Sequence, residues 1–180
     1  MKKPPKRICW FYQCWQPAFE EMKRGLGKRI VFHEGMPDKK KLETIIDRSP
    51  RPLVCCFDDL QQELGPDIVN LFTVWSHHKA VSVILLMQNF FGKKAQRDIS
   101  LSATHLVLFK SPRCKQTAMN LGKQLFPGRA GEFMRLYEAA TRDAFSHLMI
   151  NVMQECAESL RLTSHILPEQ HPMRCYMLEQ

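Results

Sequence analysis

The sequence has no run of about 20 apolar residues, the length a helix needs to cross a bilayer core. Its most apolar stretch, Val81 to Met87, is only strand-sized. The basic start MKKPPKR leads into no apolar core of the kind a secretory signal carries. These features predict a chain with no membrane partner and a cytoplasmic or nuclear location. There are seven cysteines but no CxxC pair. Cys55 and Cys56 lie inside an apolar run, where a thiol behaves as a small hydrophobe. An odd cysteine count without repeating spacing argues for reduced, structural thiols rather than a disulfide framework. His77 and His78 are adjacent, about 100° apart around a helix, so they cannot chelate one zinc ion as an i, i+4 pair can. Internal repeats and low-complexity blocks are also missing.

What is present is ordinary in bulk. The 180 residues are 44% hydrophobic and 24% charged, enough for one domain with a real core. The formal net charge of +8 favours polyanionic partners, nucleic acid first, with a merely basic soluble surface as the plain alternative.

Apolar runs and amphipathic segments alternate along the chain. ICWFY, RIVFHEG, PLVCCFDD, VSVILLMQN and THLVLFK read as strands. PAFEEMKRGL, the segment around Leu42, Ile45 and Ile46, the segment from Pro66 to Trp75, and KKAQRDISLSA read as helices between them. Two further helices follow, RCKQTAMNLGKQLF and GEFMRLYEAATRD. SHLMINVM and LRLTSHIL then read as a hairpin, and PEQHPMRCYMLEQ as a tail. The order predicts an α/β fold with a mainly parallel sheet sandwiched by helices. The boundary is set at 1–152 for the core and 153–180 for a C-terminal strand and tail.

In such sheets ligand chemistry gathers at the carboxyl ends of the strands. Those ends carry Asp58 and Asp59, Gln88 and Asn89, and Lys110. A buried apolar strand ending in Asp is the Walker B pattern, which delivers a carboxylate to a magnesium water shell. A second acid can take or orient the proton of an attacking water. Adjacent acids repel, and persist where a cation or water network offsets the repulsion. The structural alternative is that Asp58 and Asp59 begin a turn and cap the next helix. A two-metal nuclease would need more acidic or histidine ligands at strand ends than the sequence offers.

The phrase FDDL…LFTVWSHHKAVSVILLMQNFFGKKAQRDISLSATHLVLFKSPR resembles the C-terminal part of the DNA-packaging ATPases of Maverick/Polinton elements and adintoviruses. These belong to the FtsK/HerA group of P-loop NTPases, as do the poxvirus-type packaging ATPases. ICWFYQCWQPAFEEM and VFHEGMPD resemble the family's segments downstream of its Walker A helix. The similarity runs from Arg7 to Thr141 and is most specific from Ser76 to Arg113.

The resemblance implies a P-loop (RecA/FtsK-like) core acting on ATP and Mg2+ as a homo-oligomeric ring. That ring moves double-stranded DNA into a capsid, with capsid proteins as further partners and a virion-associated location. It implies that Asp58 holds the magnesium shell, that Asp59 stands where the catalytic acid stands, and that Gln88 is the sensor amide. Arg97 and Arg113 become candidate arginine fingers reaching a neighbouring subunit, with Arg97 preferred. Ser76, His77 and His78 become a subunit contact or a helix end. Basic loops such as GKKAQR suit phosphate contacts.

One part of the pattern is missing. No GxxxxGK[ST] motif occurs, and GLGKR at Gly25 to Arg29 has neither the spacing nor the Ser or Thr. The resemblance therefore implies a C-terminal portion that hydrolyses ATP poorly by itself. It also implies a sheet with a gap beside the Walker B strand, or with newly exposed edges. The alternative function is a non-catalytic remnant that binds nucleic acid or a partner.

Overall fold

The computed structural model describes residues 4–88, 94–113, 115–170 and 172–178. They form two compact units, Met1–Ser102 and Ala103–Gln180.

The first unit grows from strand β1 (Arg7–Tyr12). Helix α1 (Pro17–Leu26) starts on Pro17, whose fixed φ suits a first turn, and stops at Gly27, which takes a positive φ of 53°. Strand β2 (Ile30–Glu34) follows. Helix α2 (Lys39–Arg48) is capped by Asp38, whose carboxylate accepts the Lys41 N–H at 2.8 Å. Its Leu42 and Ile46, one turn apart, are fully buried. Strand β3 (Leu53–Asp58) is buried at every position but its last.

A helical run then passes through α3 (Pro66–Asn70), a π-helical turn at Leu71–Trp75 and α4 (Ser76–His78). Strand β4 (Val81–Leu86) and helix α5 (Lys94–Ser102) complete the unit. Ser76 and His78 thus sit at a helix end, where Ser76 Oγ donates to the Phe72 carbonyl at 2.8 Å.

The sheet order is β2-β1-β3-β4, and all pairs are parallel. One face gathers Cys9, Phe11, Leu53, Cys55, Phe57 and Val81 under Leu42, Ile46, Leu60, Ile68, Leu71 and Ile99. The six described cysteines are free, and Cys9, Cys55 and Cys56 are buried as small apolar residues. The expected parallel α/β sheet with flanking helices is therefore present. A gap beside the third strand is not: β3 has strand neighbours on both sides, and the free edges are β2 and β4.

The second unit departs from the simple alternation. Strand β5 (His105–Phe109) does not extend the parallel sheet. It pairs antiparallel with β6 (His147–Asn151) in a sheet ordered β5-β6-β7-β8, with β7 at Leu162–Ser164 and β8 at Arg174–Tyr176. The β6–β7 pairing is the expected hairpin, whereas the expected tail contains a strand, β8. The unit boundary falls at Ser102/Ala103 instead of at 152/153 because β5 finds its partner 40 residues downstream: Leu106 lies opposite Ile150, and Leu108 opposite Leu148.

Helices α6 (Lys115–Leu125) and α7 (Ala130–Ala140) supply Ala118, Leu121, Phe133 and Tyr137 to this unit's buried residues. The Tyr137 hydroxyl donates to the Phe109 carbonyl at 2.9 Å and accepts the Ser111 N–H at 3.3 Å, fixing the end of β5. Arg161 closes the β6–β7 connection. Its guanidinium donates to the carbonyls of Asn151, Met153 and Cys156 while pairing with Glu158. Among the described residues, no helix is long and apolar enough to cross a membrane.

Helices α6 and α7 meet at a glycine. A Cβ on Gly122 would lie 2.6 Å from the Phe133 ring, which is fully buried. Gly122→Ala gains about 1 kcal/mol in helix propensity but incurs about 1–3 kcal/mol of overpacking. We expect it to lower the thermal midpoint by a few degrees. Adding Phe133→Leu to the alanine variant is expected to recover part of that loss, and calorimetry of the singles and the double measures the coupling.

Candidate functional site

Parallel pairing brings the carboxyl ends of β1, β3 and β4 to one edge. Tyr12 of β1, Asp58 of β3 and Leu86 of β4 lie at the same level across the sheet. Beyond Asp58 the backbone turns sharply. Asp59 takes a φ of +56°, a left-handed conformation that Asp tolerates better than most side chains.

The Asp59 carboxylate is not spent on a helix cap. Helix α3 starts at Gly65 with no side-chain cap bond, and the short 3-10 turn Gln61–Glu63 has none either. Instead the Gln88 amide donates from Nε2 to Asp59 Oδ1 at 3.2 Å. The Gln88 backbone N–H donates to Gln61 Oε1 at 2.8 Å. Three polar side chains thus tie the end of β3 to the end of β4. All of this is exposed, so the network can exchange its partners with water or a ligand.

Asp58 has a different environment. Burial pushes its carboxyl above the ordinary value of 3.8, the Trp10 indole draws it back down, and the Asp59 charge raises it further. Trp10 pairs with Cys56 in the ladder and so shares a face with Asp58. Its Nε1 is buried and reaches full hydrogen-bonding geometry with no group, Asp58 included. The N–H therefore acts on Asp58 as a nearby dipole that favours the carboxylate. The Cys56 thiol is pushed up to about 12, mainly by burial and then by the Asp58 charge.

Of the residues singled out by sequence, Asp58, Asp59 and Gln88 come together. Asn89 lies outside the described residues. Arg97 is exposed on α5 in the same unit, and no hydrogen bond or ion pair joins it to this cluster among the described residues. Arg113 is exposed in the other unit, just past β5. Two participants, Gln61 and Trp10, escaped the sequence reading. Gln61 stands in an unremarkable QQE, and the place of Trp10 depends on the β1–β3 register, which periodicity does not encode.

Among the described residues, no group of three or more His, Cys, Asp or Glu side chains is placed to hold a metal ion. The site can offer a cation one or two carboxylates. That donor set fits Mg2+, which keeps several waters and takes further oxygens from phosphates. In comparisons with known protein families, curated proteins and solved structures, the chain matches none.

The raised pKa of Asp58 gives a signed expectation. An acid whose folded pKa lies above its unfolded one binds more protons when folded, so it disfavours the fold above the folded pKa. That penalty fades as pH falls through the folded pKa toward 3.8. Asp58→Asn is therefore expected to raise the thermal midpoint at neutral pH, by an amount that shrinks in acid. A turn-forming or capping aspartate gives the opposite sign, and melting curves across pH distinguish the two.

Proposed function

We propose that this chain is the C-terminal portion of an FtsK/HerA-type DNA-packaging ATPase core of the Maverick/Polinton and adintovirus kind. The observation that carries the reading is the Asp59–Gln88 hydrogen bond at the carboxyl edge of a parallel sheet, beside an Asp58 that caps nothing. In this reading Asp58 holds the water shell of Mg2+. Asp59 orients or deprotonates the attacking water. Gln88, already bonded to Asp59, reports on the occupancy of the same space. Bound Mg2+ would supply neutralisation of phosphate charge. Exposed Arg97 and Arg113 are free to reach a neighbouring subunit of a ring. Double-stranded DNA and capsid proteins are the partners the resemblance implies, in the nucleus, the cytoplasm or the virion.

The grip on phosphate must come from elsewhere, since no GxxxxGK[ST] occurs in the 180 residues. A strand bearing that loop has to run parallel to β3, so that the loop emerges beside Asp58. Both positions next to β3 are filled. At a strand spacing of about 4.8 Å, the nearest open position lies beyond β4, about 10 Å from β3, against about 15 Å beyond β2.

The reading is tested by ATP turnover with Mg2+. The chain alone is expected to show none above background. Fused to, or mixed with, a strand–loop–helix segment bearing GxxxxGK[ST], it is expected to turn over ATP and to lose that activity in Asp58→Ala or Asp59→Ala. Turnover that survives both substitutions overturns the assignment. Turnover by the chain alone, lost in Asp58→Ala, overturns its incompleteness.

A second reading, a non-catalytic nucleic-acid-binding remnant, is favoured by the net charge of +8 and by the exposed Lys39, Lys40 and Lys41 on α2. Binding would then weaken linearly in log salt, with a slope of about −0.9 per phosphate contact. Replacing the three lysines with Gln is expected to flatten that slope. An unchanged slope removes them from the interface.

A further inference from the structure

Strand β4 is bonded to β3 along its whole length, Leu53 opposite Val81 through Asp58 opposite Leu86, and its other side carries no strand. Proteins usually protect such an edge with a charge, a proline, a bulge or a very short strand. Val81–Leu86, VSVILL, has none of these. Its inward face, Val81, Val83 and Leu85, belongs to the core cluster of the first unit. Its outward face leaves Ile84 47% and Leu86 38% exposed. The opposite edge is better guarded. Strand β2 ends in His33–Glu34, and its Phe32 lies against the rings of Phe19 and Trp15.

We propose that β4 is a self-complementary edge at which two copies of this chain join antiparallel into one continuous sheet, about a two-fold axis at Ile84. Three observations select a second copy. The first is charge. At +8 overall, two copies repel over most of their surfaces, and an uncharged strand is where they can approach. The one cation near its start, Lys79, is already paired with Asp47 at 2.8 Å.

The second is register. A two-fold axis at Ile84 sets Ile84 opposite its own copy and Leu86 opposite Ser82. Both pairs lie on the outward face, while Val83 meets Leu85 on the core face. Opposed residues in an antiparallel ladder share a face, and a slip by one residue would set core positions against exposed ones. The third is closure. Such a contact uses the same patch on both partners, so it stops at two. Strand β5, the edge of the other sheet, also exposes Val107 and Phe109, but it contains ionisable His105 and runs into Lys110. A lysine at an edge is among the usual protections. The dimer does not rest on the ATPase reading; a loop-bearing strand supplied to β4 would compete with it.

The test is the mass of the full chain by light scattering, from about 1 µM to about 100 µM, where mass action separates monomer from dimer. The mass is expected to rise from 21.0 kDa toward a plateau at twice that value. Ile84→Lys would set two cations about 5 Å apart across the axis, so it is expected to stay monomeric. Val107→Lys is expected to dimerise like the parent. Ile84 is exposed, so folding should survive, and circular dichroism checks it. Independently, the β4 amides of the parent are expected to exchange more slowly at the higher concentration. A constant 21.0 kDa, growth past two copies, loss of dimer in Val107→Lys but not in Ile84→Lys, or concentration-independent exchange each overturns the proposal.

Discussion

Everything at the candidate site depends on the parallel ladder that β3 makes with β1 on one side and β4 on the other. Six consecutive pairs on each side hold Leu53–Asp58 in a single register. A slip of one residue would turn every buried side chain of β1 or β4 to the opposite face. The apolar residues Leu53 to Phe57 thus specify more than stability. They bring Trp10, Asp58 and Gln88 to one edge without any of these residues having to seek the others. Burial then works against the charge it delivers: the same desolvation that anchors the strand lifts the Asp58 pKa and raises the Cys56 thiol.

Much of this was legible because each cue was local. An uninterrupted apolar run bounded by Pro and Asp marks a strand buried on both faces, and β3 is one. Pro17, Asp38 and Gly27 mark helix ends through their own backbone chemistry. The pair Asp58–Asp59 and the amide Gln88 stood out because polar residues ending apolar strands are chemically conspicuous. What failed was non-local. HLVLF reads the same in a parallel or an antiparallel sheet, and only its pairing with HLMIN decides which. The short strand Arg174–Tyr176 carries no alternation strong enough to separate it from a tail. Trp10 and Gln61 have plain surroundings in sequence and acquire meaning from register and from a turn.

The turn at Asp59 shows how backbone and side chain share a task. Its left-handed conformation points the chain away from the sheet. The carboxylate is left to the Gln88 amide, which spans the step between two neighbouring strands. An ordinary right-handed continuation would have favoured a helical cap, with the acid satisfied by its own backbone. At this position the fold gives up local satisfaction for a contact across the sheet.

Arg161 has a consequence for how the second unit can vary. Its guanidinium draws on main-chain oxygens of Asn151, Met153 and Cys156, and only Glu158 contributes a side chain. Carbonyls are supplied by every amino acid alike. The connection between β6 and β7 is therefore held by a template indifferent to most of the letters it spans, so its outward-facing positions are free to change identity while its path stays the same.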